Sequence, residues 1–243
     1  MLLFLLISLM GHGKEKPLAI RYSVVESWTE PYAVVDKDKI LIGGAMNDFF
    51  EGISEKMNSK YEFRYYSRNR VDSAAESKKI DVRCLANESW VSKPESYFWT
   101  STLFHFANGI IWKKGTPAIR KISDLENKRL GTVTGYVYKS IEELVSLGKL
   151  KRIDTLNESI NIRLLEKDRI QYTIVEMAAF HWQVNSRKIN SLLSAESLLV
   201  ETLPIKCGIL KSSKVDPKAF ESGLDQMRHD GFFKNLEKKY GIK

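Results

Sequence analysis

Aromatic and acidic side chains recur just beyond the ends of predicted strands. Trp28 and Tyr32 follow a strand predicted over residues 18–25, and Glu176 follows a strand predicted over residues 170–175. In open α/β sheets, ligands bind beyond the carboxyl ends of the strands. Aromatic rings there can stack on a solute and exclude water, and a carboxylate can accept hydrogen bonds from it. Core filling by the rings and a surface ion pair of the glutamate are the alternatives.

Asn87, Ser89 and Trp90 follow another predicted strand, which covers residues 80–86. The amide and the hydroxyl can form hydrogen bonds with a polar solute, and the indole can cover it. An ordinary Asn/Ser turn explains the same residue types. These three residues are therefore candidates for the same ligand site.

Thr134, Gly135 and Tyr136 join a strand predicted over residues 129–134 to a helix predicted to run through Leu147. The N-terminus of a helix presents unpaired N–H groups and a partial positive charge. An anionic or carbonyl group of a solute would suit that position, so we include the three residues in the candidate site. A simple helix cap is the alternative.

Strands and helices alternate along the chain, which is typical of mostly parallel sheets with helices on their faces. The first predicted helix has apolar residues at Met46, Phe49, Phe50 and Ile53, a spacing that indicates one buried helical face. The pattern therefore predicts an α/β fold.

The chain crosses twice between two α/β runs, around residues 103–114 and again around residues 203–210. Two lobes joined by two strands can close on a solute held in the cleft between them. We assign residues 14–107 together with 204–243 to lobe 1, and residues 108–203 to lobe 2.

Composition limits the classes of partner. The 243 residues carry a net charge of +8, but the basic stretches are short and interrupted, as on solvated faces, so we expect no nucleic acid partner. The four histidines do not cluster with the two cysteines, so we expect no metal site and no other cofactor. We expect the chain to act as a monomer.

The longest apolar run covers residues 1–10 and is followed by the small residues of Gly11–Gly13. It is shorter than the roughly 20 residues needed to span a bilayer. The pattern predicts a signal peptide over residues 1–13 and export of the remainder. A buried or frayed N-terminal segment is the alternative.

Five short segments lie in a recognisable order, namely Gly44–Phe49, Ser77–Val82, Ile122–Leu125 with Lys128–Gly131, Lys167–Tyr172, and Asp230–Phe233 with Lys239–Gly241. Together they resemble the bacterial extracellular solute-binding proteins of family 3, the periplasmic receptors of polar amino-acid ABC importers. The resemblance runs from about residue 18 to residue 241. It implies a two-lobe, type II periplasmic binding fold, located in the periplasm. A small polar solute would be held in the cleft for an ABC permease or a membrane sensor.

One departure from the family concerns the residue that binds the ligand's carboxylate. The family commonly carries Thr-x-x-Arg after the strand that ends here at Ala86, and that arginine holds the ligand's α-carboxylate as a bidentate fork. The resemblance puts Trp90 at the threonine and Lys93 at the arginine. A lysine is a point charge, so we expect a ligand that is not held as a standard L-α-amino acid.

The resemblance leaves three functions open. The leading interpretation is a binding protein without chemistry of its own. Cyclohexadienyl dehydratases share the fold and use a cleft glutamate as a general acid, a role that Glu176 could take. Such an enzyme must also hold two carboxylates, and Lys93 is the one cation at a matched position. The third alternative is a solute-sensing or protein-interaction module without an import role.

The implied fold also bears on the two cysteines. Cys84 lies on the strand predicted over residues 80–86, and Cys207 lies on the return strand, which re-enters the sheet beside it. Neighbouring strands are about 4.8 Å apart, and a disulfide needs Cα atoms about 4.4–6.8 Å apart. An exported protein could therefore form this bridge, and two buried free thiols are the alternative.

Overall fold

The computed structural model describes residues 19–189 and 192–242. The expected signal peptide lies outside them, as do residues 14–18 of the expected first lobe. The strands are β1 (Ala19–Val25), β2 (Val34–Val35), β3 (Leu41–Gly43), β4 (Lys60–Tyr66), β5 (Val82–Ala86), β6 (Tyr97–Trp99), β7 (Phe104–Trp112), β8 (Arg129–Val133), β9 (Lys151–Thr155), β10 (Tyr172–Glu176) and β11 (Leu198–Leu210). The helices are α1 (Ala45–Lys56), α2 (Val71–Glu76), α3 (Glu142–Ser146), α4 (Glu158–Glu166), α5 (Met177–Arg187), α6 (Pro217–His229) and α7 (Phe232–Tyr240).

The main strands are hydrogen-bonded in the order β4-β1-β5-β11-β7-β10-β8-β9, with β6 also paired to β11. Strand β1 is parallel to β4 and β5, and β8 is parallel to β9 and β10. The beginning of β11 pairs with β7, and its end pairs with β5 and β6. We call β4, β1, β5, β6 and the end of β11 the first half, and β7, β10, β8, β9 and the beginning of β11 the second half. The predicted α/β class is confirmed.

The two halves are connected through the long strands β7 and β11. The expected lobe boundaries at residues 107/108 and 203/204 fall inside these two strands. Strand β11 begins six residues earlier than predicted, at Leu198, because residues 198–203 pair with β7. The lobe boundaries themselves stay predictions.

Helix α1 is held by the apolar stripe that its sequence predicts. Met46, Phe49, Phe50 and Ile53 are fully buried, and the ring of Phe50 stacks on Tyr22 of β1 with 4.2 Å between centroids. Burial of each such side chain stabilises the fold by about 1.5–3 kcal/mol. This packing fixes the first half around β1, whose end leads into the candidate site.

A disulfide joins Cys84 of β5 to Cys207 of β11. The register of the two antiparallel strands shifts at this point, so that Cys84 and Leu85 lie opposite Cys207 alone, as in a β-bulge. Leu85 takes the left-handed backbone conformation, with φ of 51°. The bridge therefore ties the first half to the strand that runs on into the second half.

None of the helices formed by residues 19–189 and 192–242 combines the length and the apolar character needed to cross a bilayer.

Candidate functional site

A cavity with about 820 Å³ of empty space, part of it open to solvent, lies between the two halves. The first half contributes Ser27, Trp28, Tyr32, Arg68, Arg83 and Trp90. The second half contributes Phe106, Asn108, Tyr136, Tyr138, Glu158 and Glu176. The cavity thus combines aromatic walls with charged groups of both signs.

The aromatic wall comes from β7 and from the segments that follow β1 and β5. The ring centroid of Phe106, on β7, lies 5.0 Å from that of Tyr32 and 6.1 Å from that of Trp90. Trp28 also lines the cavity and packs against the core of the first half. Rings at this spacing form a continuous apolar surface, against which a flat or apolar part of a solute can stack.

Two hydrogen bonds cross the cavity from one half to the other. The hydroxyls of Ser27 and Tyr136 share a hydrogen bond of 3.1 Å. The hydroxyl of Tyr32 donates to Oε2 of Glu176 at 3.0 Å. Burial, and then the charge of Glu176, raises the pKa of Tyr32 well above its usual range, so this phenol keeps the proton that it donates. The two halves are therefore in direct contact around the cavity.

Glu176 ends β10 and caps the helix that follows it. Its side chain accepts hydrogen bonds from the backbone N–H groups of Ala178 at 3.1 Å and Ala179 at 2.8 Å. Burial raises the pKa of Glu176, and these N–H groups together with the Tyr32 hydroxyl oppose that shift. The carboxylate that the sequence offers to a solute is therefore already engaged by its own helix.

Glu158, which the sequence analysis does not single out, faces the same cavity. It is the first residue of α4, is only 8% exposed, and accepts a hydrogen bond from the backbone N–H of Glu176 at 3.1 Å. Burial, and then the charge of Glu176, raises the pKa of Glu158 to about 8. A glutamate in the first turn of a helix is usually an exposed residue, so its position gives no sequence signal.

Two arginines that line the cavity are also absent from the sites that the sequence predicts. Arg83, on β5, is 4% exposed and is ion-paired with Asp72 of α2. Arg68 follows β4 and donates from a guanidinium nitrogen to the backbone oxygen of Trp90 at 2.9 Å. Burial, and then the charge of Arg83, lowers the pKa of Arg68. An arginine inside the otherwise apolar strand of Val82–Ala86 is the signal that could have revealed this site.

The family model of the bacterial extracellular solute-binding proteins, family 3, matches residues 23–243. The chain belongs to this family. The resemblance read from its five short segments is thereby confirmed. Among curated proteins, no sequence matches this chain.

Solved structures with the same fold have little sequence in common with the chain. An ancestral arginine-binding protein bound to arginine is 20% identical, with a TM-score of 0.76 over 91% of this chain and 97% of that chain. A histidine kinase sensor domain with similarity to periplasmic binding proteins is 16% identical, with a TM-score of 0.78 over 94% and 99%. An ABC uptake transporter substrate binding protein from Streptococcus pneumoniae with bound histidine is 15% identical, with a TM-score of 0.73 over 91% and 92%. These similarities show the type II periplasmic binding fold, as expected.

The residues that line this cavity do not include Asn87, Ser89 or Lys93, which the sequence assigns to the solute. Lys93 is ion-paired with Glu76 at 2.7 Å in a second cleft, which only residues of the first half line, and both side chains are exposed. Short turns on both sides of Lys93 direct the chain away from the cavity, which counting along the sequence does not reveal. Asn87 donates to the backbone oxygen of Pro204 at 2.8 Å and accepts from the Ser89 hydroxyl at 2.8 Å, which is the turn alternative.

The segment after β8 also differs from expectation, because its helix begins only at Glu142. Of the three residues singled out here, Tyr136 lines the cavity. Thr134 donates its hydroxyl to the backbone oxygen of Thr155 at 3.1 Å. Gly135 has φ of 74°, and a Cβ on it would lie 2.8 Å from a side-chain oxygen of the first half. Close approach of the halves, rather than a helix N-terminus, explains this glycine.

Proposed function

We propose that this protein is a receptor that captures a small polar solute between its two halves and delivers it to an ABC-type permease. The observation that carries the proposal is the cavity itself, which both halves line and across which Ser27 and Tyr136 share a hydrogen bond. A site built from two halves is complete only when they close, so closure can report that a solute is bound.

The residues of the cavity favour a solute that combines an apolar part with an anionic group. Trp28 and Trp90 offer stacking surfaces, while Arg68 and Arg83 offer guanidinium groups that can form paired hydrogen bonds with a carboxylate. We further propose that the protein is exported by its N-terminal leader, resides in the periplasm and acts as a monomer.

A screen of small solutes tests this function. Purified protein is heated with amino acids, organic acids and small amides, and each compound that raises the melting temperature is then titrated by calorimetry. We expect at least one compound to bind. Trp90→Phe should weaken it, whereas Trp99→Phe, which changes an indole outside the residues lining the cavity, should not. If no small solute binds the folded wild-type protein, the proposal is wrong.

A second candidate is a solute-sensing module that signals to a membrane sensor. This candidate is favoured by one structure with the same fold, which is the sensor domain of a histidine kinase. Both candidates predict solute binding, so a partner assay separates them: co-purification with a permease supports import, and co-purification with a kinase supports sensing.

A third candidate is a dehydratase, and an assay of prephenate turnover beside the binding screen tests it. The buried carboxyl of Glu158 and the two arginines Arg68 and Arg83 supply an acid and two cations that the sequence alone did not place in the cavity. Turnover of prephenate by the wild-type protein, lost in Glu158→Gln, would support the enzyme. Binding of a solute without turnover supports the receptor.

A further inference from the structure

The carboxylate at the end of β10 has little capacity left for a solute. Its Oε1 accepts the N–H of Ala178, and its Oε2 accepts both the N–H of Ala179 and the hydroxyl of Tyr32. A carboxylate offers about four acceptor sites in all. The donors also balance the negative charge of Glu176, so an ammonium group of a solute would gain little from it.

Arg68 leaves a positive charge without a counter-ion in the cavity. Asp72 pairs with the other arginine, Arg83, and within residues 19–189 and 192–242 no carboxylate lies at ion-pair distance from Arg68. The hydrogen bond from Arg68 to the carbonyl of Trp90 uses one of its five N–H donors. Two neighbouring cations with one paired carboxylate are stabilised by a further anion, which a solute can supply.

Glu158 is the remaining carboxyl of the cavity, and its surroundings favour the neutral form. It is almost fully buried, accepts one backbone N–H, and forms no ion pair among the described residues. The adjacent Glu176 has three donors and is the better place for the negative charge of the pair. The N-terminal end of α4 favours ionisation of Glu158, but its effect is small beside the removal of a carboxylate from water. Burial accordingly raises the pKa of Glu158 to about 8.

The titratable and charged groups that share the cavity with Glu158 are Glu176, Tyr32, Tyr136, Tyr138, Arg68 and Arg83. The three phenols keep their protons, because burial raises the pKa of each. Arg152 lies behind the Tyr138 ring and is paired with Asp154. Hydrogen-bond donors therefore dominate the polar groups that are still available to a solute.

We propose that the solute is a carboxylate that lacks an ammonium group, such as a 2-oxo or 2-hydroxy acid. Its carboxylate binds Arg68 and Arg83, and its second oxygen accepts a hydrogen bond from the protonated carboxyl of Glu158. This inference rests on the proposed function and narrows it to one class of solute. An amino acid would instead need Glu158 as a carboxylate, to receive its ammonium group.

Matched pairs of ligands test the inference. Each proteinogenic amino acid except proline is compared with its 2-oxo counterpart by calorimetry at pH 6.5 and pH 9, so that the side chain is constant within a pair. We expect the preferred 2-oxo acid to bind at least tenfold more tightly than its amino acid at pH 6.5. Its affinity should fall by up to about tenfold by pH 9, as Glu158 ionises beside the bound anion.

Variants separate the two roles of Glu158. Glu158→Gln keeps a neutral donor of the same shape, so at pH 6.5 the 2-oxo acid should bind within threefold of wild type, and the loss at pH 9 should be much smaller. Arg68→Gln should weaken binding at least tenfold, while the matched exposed variant Lys93→Gln leaves it unchanged. These two variants test the anion site even if Glu158→Gln does not fold.

Three results would overturn the inference, and the first two concern the protonation of Glu158. Tighter binding of the amino acids than of their 2-oxo counterparts, or a tenfold loss at pH 6.5 in folded Glu158→Gln, would show that Glu158 acts as a carboxylate. The proposed receptor function would survive either result. Failure of every 2-oxo and 2-hydroxy acid to bind the wild-type protein would also overturn the inference, whereas the receptor function fails only if no solute of the wider screen binds.

Discussion

The disulfide between Cys84 and Cys207 should account for a large part of the protein's stability. The two cysteines are 123 positions apart, and the chain between them contains every strand of the second half, together with β6 of the first half. Closing a loop of this length restricts the unfolded chain, which is worth about 5 kcal/mol on the chain-entropy treatment. Reduction should therefore lower the free energy of unfolding by about 3–5 kcal/mol.

Urea unfolding followed by tryptophan fluorescence measures this loss. The reduced wild-type protein keeps both buried sulfur atoms in the core, so its difference from the oxidised protein isolates the cross-link. The double variant Cys84→Ala with Cys207→Ala removes the sulfur atoms as well and should lose about 1 kcal/mol more for each. A difference below about 1 kcal/mol between oxidised and reduced protein would refute the reasoning. So would intact-mass analysis that finds two alkyl groups on unreduced, alkylated protein.

Three further predictions concern single residues. The unfolded chain ionises Glu158 near its ordinary value of 4.5, and the folded protein ionises it near a pKa of 8. The protonated Glu158 should therefore contribute to the free energy of unfolding, and this contribution should fall as pH rises between these two values. It should be absent in Glu158→Gln, and urea titrations at several pH values measure both proteins. Gly44→Ala should cost about 3 kcal/mol or more, because φ is 95° and the new Cβ would lie 2.7 Å from a backbone oxygen. Gly231→Ala, with φ of 75° and open space, should cost only about 1 kcal/mol, and equal losses in urea unfolding would contradict this. Asp81→Asn breaks a two-point ion pair with an arginine of β1 and should cost about 2 kcal/mol in the same assay, whereas Lys93→Gln should cause no measurable change.

The sequence alone determines the fold class, many of its elements and the family to which the chain belongs. The stripe of α1 and the start of α6 at Pro217 can be read directly, because helical periodicity and capping depend on residues a few positions apart. The same local reasoning finds Trp28, Tyr32 and Tyr136, since each follows a strand end and all three line the cavity. Their role as ligand contacts stays a prediction.

Tertiary structure decides which charges share the cavity. From the sequence, Arg83 is a charged residue in a strand and Glu158 is a residue of a helix N-terminus. In the folded protein both are buried and line the same cavity between the two halves. Conversely, counting along the sequence assigns Lys93 to the ligand, although the turns around it place it at an exposed ion pair. The residues that pair the beginning of β11 with β7 are likewise about 90–100 positions apart. Local patterns encode how each segment folds, but burial and electrostatic partners depend on contacts between distant segments, and these form only when the whole chain packs.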